Sequence, residues 1–182
     1  MIAIDHPWTG AGQRHAFRLL LDAWARPGTV ADLAPWSGGA RVRLAVLAAL
    51  CDSATTLHDA HGLLSGGDRS RLGARPAPGE AAGFILADAT RAAEGLAPCR
   101  GELLAPERGA TLVLDCQAVG EGPSLRLSGP GVDGFAELRV LGVDPSWWRA
   151  RRAWCAPPLG VDLVLCDARR IACIPRSITV EA

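Results

Sequence analysis

The chain has 182 residues, 49% of them apolar, so it is long and apolar enough to bury a core and is not expected to be disordered. All 19 basic residues are arginines, and 19 acidic residues balance them, so no basic excess indicates a nucleic-acid partner. Because the chain has no lysine, it cannot form a Schiff base through a lysine side chain and cannot carry a P-loop. The chain therefore cannot bind pyridoxal phosphate through a lysine; we predict no cofactor for it.

Six cysteines are spread along the chain, and none of them forms a C-x-x-C pair. We expect reduced thiols that mostly serve as small buried apolar side chains. The first residues lack the basic and long apolar regions of a signal peptide, and no apolar run is long enough to span a bilayer. The sequence therefore predicts a cytoplasmic protein without a membrane partner.

The first third of the chain predicts helices that alternate with short strands. Residues 1–12 predict an extended arm anchored by Trp8. Residues 13–26 predict a helix with one apolar stripe, which ends at Pro27 and Gly28. The segments that follow predict a short strand over 29–33, a loop over 36–39, a buried helix over 40–51 and a strand that begins at 55–58.

The middle of the chain contains its weakest patterns. Residues 62–80 are rich in Gly, Arg, Pro and Ser and predict a surface connection. Asp88, after a buried strand over 83–87, is expected to cap a short helix that extends to Glu94. The remaining segments predict an irregular stretch over 95–108, a strand over 110–116, a turn over 120–123, a partner strand over 124–128 and a Gly-Pro-Gly turn over 129–131.

The last forty residues carry the clearest signals. Asp144 and Pro145 predict the start of a helix that runs to Trp154. Apolar runs over 157–166 and 171–176, joined by a polar tetrapeptide, predict two strands deep in a sheet that is covered on both faces. Interspersed helices and strands predict an α/β fold, a three-layer sandwich with a mixed sheet, in one domain over residues 1–182.

Two pairs of residues are candidates for ligand binding. Arg176 follows a strand end, where its guanidinium suits a phosphate or phosphonate. Its alternative partner is Asp162, since a buried carboxylate needs a counter-charge. Gly129 and Gly131 lie in a turn after a strand and offer backbone N–H groups to a phosphate, with an ordinary turn as the alternative.

The helix near 144–154 is a candidate partner surface. Trp147, Trp148, Arg151 and Arg152 are of the residue types enriched in interface hot spots, which favours an exposed helix. Base stacking and packing inside the chain are the alternatives.

His58 and His61 are of the residue type that ligates metals most often. Two histidines three residues apart, with Asp59 beside them but without a further cluster of ligands, are weak evidence for a metal. A polar loop is favoured, and no metal site is predicted.

Several motifs, in the same order along the chain, resemble those of the PhnH family, whose members are subunits of the bacterial carbon–phosphorus (C–P) lyase system. Residues 14–28 resemble its opening helix and Pro-Gly turn, and residues 105–112 its P-E-x-G-A-T entry to a central strand. Residues 125–131 resemble its L-R-L-[ST]-G-x-G strand. Residues 158–163 and 174–177 resemble its carboxyl-terminal signature, P-L-G-[IV]-D-L followed by I-P-R-[ST]. The Trp-rich stretch over 144–154 matches no motif of the family.

The resemblance implies a fold similar to a shortened pyridoxal-phosphate-dependent transferase without the cofactor site. It implies a homodimer that joins PhnG, PhnI and PhnJ in a core complex and works with PhnL and PhnK. The family is required, with PhnG, PhnI and PhnL, to form ribose 1-methylphosphonate 5-triphosphate from ATP and methylphosphonate. The subunit is expected to be auxiliary rather than catalytic. The alternative is a phosphonate- or nucleotide-binding subunit with its own site at a dimer interface.

Overall fold

The computed structural model describes residues 7–38 and 41–182 of the chain. The helices are α1 (Gly10–Ala25), α2 (Ala34–Ser37), α3 (Val42–Leu50), α4 (Gly66–Leu72) and α5 (Ser146–Trp154), with 3-10 turns at Gly79–Ala81 and Pro106–Arg108. The strands are β1 (Ala31–Asp32), β2 (Thr56–Asp59), β3 (Arg75–Pro76), β4 (Phe84–Asp88), β5 (Thr111–Asp115), β6 (Ala118–Ser128), β7 (Ala136–Leu141), β8 (Asp162–Cys166), β9 (Arg170–Ile174) and β10 (Thr179–Glu181).

Seven strands form a mixed sheet in the order β1-β9-β8-β5-β4-β2-β3. Strands β8, β5, β4, β2 and β3 are parallel to one another, whereas β9 is antiparallel to both β8 and β1. Strands β8 and β9 form the predicted carboxyl-terminal hairpin, with Leu163 opposite Ile174 and Cys166 opposite Ile171. The prediction of a mixed α/β sheet is therefore confirmed. Its predicted likeness to pyridoxal-phosphate-dependent transferases stays a prediction.

The central strands are covered on both faces, because alternate side chains enter two different apolar cores. Val113 and Val164 pack against α1, α3 and α4 on one side. Leu114 and Leu165 pack on the other side against α5 and a second, three-stranded antiparallel sheet in the order β10-β6-β7. The layers are therefore helices, the large sheet, and a layer in which α5 lies beside the small sheet.

The local signals that set helix ends act as the sequence predicts. After α1, Gly28 has a φ of +97°, and a Cβ at this position would lie 2.8 Å from the Cβ of Ala136 on β7. A glycine is required there by both backbone conformation and close approach. Trp8 is half-buried against the helical core, and the Arg71 guanidinium lies 5.7 Å from its ring centre. The predicted anchor is confirmed, but the predicted arm over 1–12 is too long, because α1 already begins at Gly10. Residues 1–6 of the arm lie outside the described residues.

Two predictions about loops in the first half of the chain are wrong. The 62–80 stretch contains α4, whose Ser65 and Asp68 form a capping box that the Gly-rich composition conceals. The predicted loop at 36–39 begins inside α2, since Trp36 and Ser37 are helical, whereas Gly39 lies outside the described residues.

Two further predictions fail near the strand ends. Asp88 does not start a helix, because its Oδ1 instead accepts hydrogen bonds from the backbone N–H and hydroxyl of Thr90. The predicted turn at 120–123 lies within β6, which continues through it with a shift in register between Val119 and Ser124. The strand over 124–128 was predicted to pair with β5, but it pairs instead with β7 and β10 in a separate sheet. The sequence also missed β7 and β10, and with them the small sheet.

The cysteines at 116, 166 and 173 are buried in the apolar cores, as expected, and all six thiols are free. Burial raises the pKa of the Cys51 thiol to about 12 and raises the pKa of Cys166 well above its usual value. Within residues 7–38 and 41–182, we find no helix that is both long and apolar enough to cross a bilayer.

We expect Leu114→Ala to lower the free energy of unfolding by about 2–5 kcal/mol, because Leu114 is fully buried in the central strand. Urea denaturation measures the change. The matched control is Leu104→Ala, which removes the same atoms from a side chain that is 99% exposed and should change stability by less than about 0.5 kcal/mol. Equal losses from both variants would contradict the placement of Leu114 in the core.

Candidate functional site

Helix α5 is held against the core by residues that the sequence assigned to an exposed surface. Trp147 is only 1% exposed, and its indole Nε1 donates a 2.8 Å hydrogen bond to the carbonyl of Arg91. Trp147 also packs edge-on against Trp154, with ring centres 6.4 Å apart. The prediction that Trp147 and Arg151 lie on an exposed face is wrong, because residues 147, 151 and 154 share one helical face and that face points inward. Trp148 is half-exposed and Arg152 is exposed, so their role as partner contacts stays a prediction.

Arg151 is a buried cation that pairs with no carboxylate among the residues that the structure describes. The residue is 4% exposed, and its Nη2 donates to the carbonyl oxygens of Pro175 (2.8 Å) and Ile178 (2.9 Å). Its buried Nε has no hydrogen-bond partner, and no Asp or Glu of residues 7–38 and 41–182 lies within 4 Å of the guanidinium. Burial lowers the pKa of Arg151, with Cys155 and Asp162 acting in the opposite direction.

Arg176 forms an ion pair with Asp162, which was the predicted alternative to a phosphate or phosphonate ligand. The Asp162 carboxylate accepts from the backbone N–H of Arg176 at 2.7 Å, from its Nε at 3.2 Å and from its Nη2 at 2.5 Å. The same guanidinium donates to the carbonyls of Pro106 and Gly109. These bonds raise the pKa of Arg176, chiefly through Asp162.

This ion pair lies at the edge of the sheet opposite to the one where parallel α/β sheets usually bind ligands. Asp162 begins β8, and Arg176 follows β9, which runs antiparallel to β8. Both residues are therefore at the amino ends of the parallel strands, whereas ligands in such sheets usually bind beyond the carboxyl ends. The strand-end argument for a ligand at Arg176 does not hold, although ligand binding by Arg176 and Asp162 stays a prediction.

A cleft of about 350 Å³ is lined both by residues of α5, predicted as a partner surface, and by Arg176, predicted as a ligand-binding residue. We call it the α5 cleft; Trp148, Arg151, Arg152, Cys155, Pro157, Arg176 and residues 177–181 line it. Gly129 lies near its wall, since a Cβ there would be 3.0 Å from the carbonyl oxygen of Ser177. Gly131 approaches α1 instead, where a Cβ would be 2.7 Å from the carbonyl oxygen of Ala25. Both glycines have positive φ, so their observed role is in the turn, and phosphate binding by them stays a prediction.

An apolar cavity of about 480 Å³ adjoins the α5 cleft. Trp148 and Arg152 line both spaces and stand between them. The remaining walls of the apolar cavity come from α5 and the small sheet and include Leu125, Val140, Val143, Pro145 and Arg149.

The sequence missed the carboxyl edge of the large sheet, where four carboxylates lie and arginines pair with three of them. Asp59, Asp88 and Asp115 end parallel strands, and Asp167 directly follows β8. Asp115 forms an ion pair with Arg43 from α3; burial raises the pKa of Asp115, against the lowering effect of Arg43. The detectable signal was an Asp at the end of each of four apolar runs, over 56–59, 84–88, 111–115 and 162–167.

The carboxylates at this edge are bound by the chain itself. Asp59 accepts from the backbone N–H groups of Leu63 and Leu64 and from Arg69. His61 accepts a 3.0 Å hydrogen bond from the backbone N–H of Asp88, and His58 contacts the carbonyl of Ala77. Within the described ranges, no three His, Cys, Asp or Glu side chains form a cluster suited to a metal ion.

We expect Asp162→Asn to lower the free energy of unfolding by about 2 kcal/mol, because it leaves the half-buried Arg176 guanidinium without its counter-charge. Thermal and urea denaturation measure the loss. Asp22→Asn is the matched control, because the Arg26–Asp22 pair on α1 is exposed and should contribute less than about 0.5 kcal/mol. A loss no larger than that of the control would show that the Arg176–Asp162 pair does not stabilise the fold.

The Asp167 carboxylate should make stability depend on acidity. Burial alone would raise the pKa of Asp167. Hydrogen bonds from the N–H groups of Val119, Arg169 and Arg170 and from the Arg170 side chain have a larger opposite effect, so the pKa lies below its usual value. Its stabilising effect is therefore complete above the unfolded pKa of about 3.9 and is lost as the pH falls through the lower folded pKa. The difference in unfolding free energy between the wild type and Asp167→Asn should shrink between pH 6 and pH 2. A difference that stays constant or grows would contradict this assignment.

Comparison with known proteins agrees with the motifs. Residues 6–181 match the family described as "Bacterial phosphonate metabolism protein (PhnH)". A curated protein of Stutzerimonas stutzeri, described as "Putative C-P lyase subunit protein HtxG", is 46% identical over 175 residues, which cover 96% of this chain and 88% of the relative. The match extends through the Trp-rich helix α5, where no family motif was recognised. The resemblance inferred from the sequence is confirmed, and the chain belongs to the PhnH family of bacterial phosphonate metabolism proteins.

Proposed function

We propose that this chain is a subunit of the cytoplasmic C–P lyase core complex, which breaks down phosphonates. The observation that supports this most strongly is the relative described as a putative C–P lyase subunit, whose 46% identity spans nearly the whole of both chains. In the proposed complex the chain forms a homodimer, joins PhnG, PhnI and PhnJ, and works with PhnL and PhnK. With PhnG, PhnI and PhnL it supports the step that forms ribose 1-methylphosphonate 5-triphosphate from ATP and methylphosphonate.

The side-chain chemistry favours an auxiliary role over a catalytic one. The thiols of Cys116, Cys166 and Cys173 are buried, and burial raises their pKa, which makes them poor nucleophiles. Asp162 and Asp167 are held by hydrogen bonds from the chain itself, which leaves them little freedom to transfer protons. A subunit of this kind contributes by binding partners and ligands.

One turn presents apolar side chains in a form suited to a partner subunit. Leu103 is 75% exposed and Leu104 is 99% exposed, and they occupy the tip of a turn closed by hydrogen bonds between Glu102 and Ala105. Two adjacent leucines on a fixed turn lose little conformational entropy when a partner covers them, and each contributes about 1.5–3 kcal/mol if fully buried. The turn lies beside Arg100, whose carbonyl accepts from Gly160, at the amino edge of the large sheet.

The proposed function predicts assembly, which native mass spectrometry measures directly. The chain alone should be a dimer, and co-expression with PhnG, PhnI and PhnJ from the same genome should give a stoichiometric larger complex. The variant Leu103→Ser/Leu104→Ser should retain the stability of the wild type but bind the other subunits at least tenfold more weakly, since it removes only exposed apolar surface.

Arg152→Glu is the comparison variant, because it reverses a charge on the α5 surface that the sequence selected. Loss of assembly with Arg152→Glu, and not with the leucine variant, would place the partner on α5. A wild-type chain that stays apart from PhnG, PhnI and PhnJ would overturn the proposed function.

A further inference from the structure

Within residues 7–38 and 41–182, the Arg151 guanidinium has no carboxylate partner. A buried cation is stable only when other charges or dipoles replace the water that it has lost. The carbonyl oxygens of Pro175 and Ile178 replace part of that water, but they carry no net charge. The Asp162 carboxylate, which raises the pKa of Arg151 against the lowering effect of burial, is already engaged by Arg176. The cost of burying Arg151 is therefore only partly offset by the described residues of this chain.

The surroundings of Arg151 add to the positive charge. Arg151, Arg152 and Arg176 all line the α5 cleft, and Glu181 is the acidic side chain among its lining residues. The lining thus has a net charge of +2, and the Asp162 carboxylate behind Arg176 reduces the total to +1. The Nη1 atom of Arg151 makes no hydrogen bond within the described residues and remains available as a donor. A cleft of this kind attracts an anion that can accept several guanidinium hydrogen bonds.

We propose that the α5 cleft binds the phosphoryl or phosphonyl group of a small anionic molecule, held chiefly by Arg151 and Arg152. A tetrahedral group with two negative charges would supply both the charge and the acceptor oxygens that Arg151 lacks. The volume of about 350 Å³ suits a methylphosphonate or the phosphate chain of a nucleotide. The choice of a phosphonyl or phosphoryl group over a carboxylate rests on the proposed function in phosphonate metabolism, whereas the presence of an anion site rests on the geometry alone.

The adjoining apolar cavity distinguishes two sources of this group. Trp148 stands between the cavity and the cleft, with an aromatic surface suited to a nucleobase. ATP would place its phosphates in the α5 cleft and its base beside Trp148. Free methylphosphonate would occupy the cleft alone, with no contact to the apolar cavity.

Isothermal titration calorimetry on the isolated full chain tests the proposal, with methylphosphonate, inorganic phosphate, tripolyphosphate and ATP as ligands and acetate as the monoanionic carboxylate control. We expect at least one of the four phosphorus ligands to bind in the millimolar range or tighter, and acetate to bind at least tenfold more weakly. Binding of ATP at least tenfold tighter than tripolyphosphate would show that the base contributes, and Trp148→Ala should then remove that difference. Equal binding of ATP and tripolyphosphate would show that the cleft recognises the phosphoryl group alone.

Two arginine variants decide whether the bound group lies in the cleft. Arg152→Ala changes an exposed side chain, so it should fold normally and weaken binding of methylphosphonate and phosphate roughly tenfold. Arg151→Met should abolish binding. If Arg151→Met does not fold, Arg152→Ala alone decides the test, because it changes the same site. The matched control is Arg149→Ala, which removes the same charge from the same helix but lines the apolar cavity and not the cleft.

Three results would overturn the proposal. The first is no binding of any phosphorus ligand to the wild type at about 10 mM, the weakest affinity of interest. The second is equal affinity for acetate, and the third is equal weakening of methylphosphonate and phosphate binding by Arg149→Ala and Arg152→Ala. Each of these results concerns the isolated chain. Assembly with PhnG, PhnI and PhnJ is a separate observation, so the proposed function can survive the failure of this site.

Discussion

The ion pair between Arg176 and Asp162 connects the parts of the chain on which the fold depends. Asp162 begins β8, Arg176 follows β9, and the same guanidinium reaches the carbonyls of Pro106 and Gly109 ahead of β5. Gly109 must be a glycine, because a Cβ there would collide with the carbonyl oxygen of Gly160 and the Nη1 of Arg176. One side chain therefore sets the spacing of three segments where they enter the sheet.

The motifs by which the family was recognised meet at or near this ion pair. The P-E-x-G-A-T, P-L-G-V-D-L and I-P-R-S segments supply the carbonyl acceptors, the carboxylate and the guanidinium respectively. The glycine of the L-R-L-S-G turn packs on the carbonyl of Ser177, and the second glycine of that turn packs on the last residue of α1. This convergence explains why the motifs identify the family so clearly and yet reveal no catalytic group, since their residues are engaged in holding segments of the chain together.

The sequence predicted the large sheet better than its cover. Strands β4, β5, β8 and β9 are continuous apolar runs because both faces of each are buried, and such runs are visible without a partner. The small sheet was not predicted from the sequence because β6 passes through Gly120, Gly122 and Pro123, which are residues that usually mark turns. Helix α5 was located but wrongly oriented. Residue type suggested exposed Trp and Arg, whereas the helical spacing of Trp147, Arg151 and Trp154 indicated one buried face.

The two edges of the large sheet differ in how completely the chain satisfies its own charges. At the carboxyl edge, Asp59, Asp115 and Asp167 each accept hydrogen bonds from nearby backbone groups or arginines, so these carboxylates are paired within the chain. The other side carries Arg151, a buried cation whose position is fixed by α5 and by the chain between β9 and β10. Those carbonyls hold the guanidinium in place without neutralising it. Among the described residues, a buried cation without a carboxylate partner therefore lies beside α5, away from the sheet edge that strand direction alone would indicate.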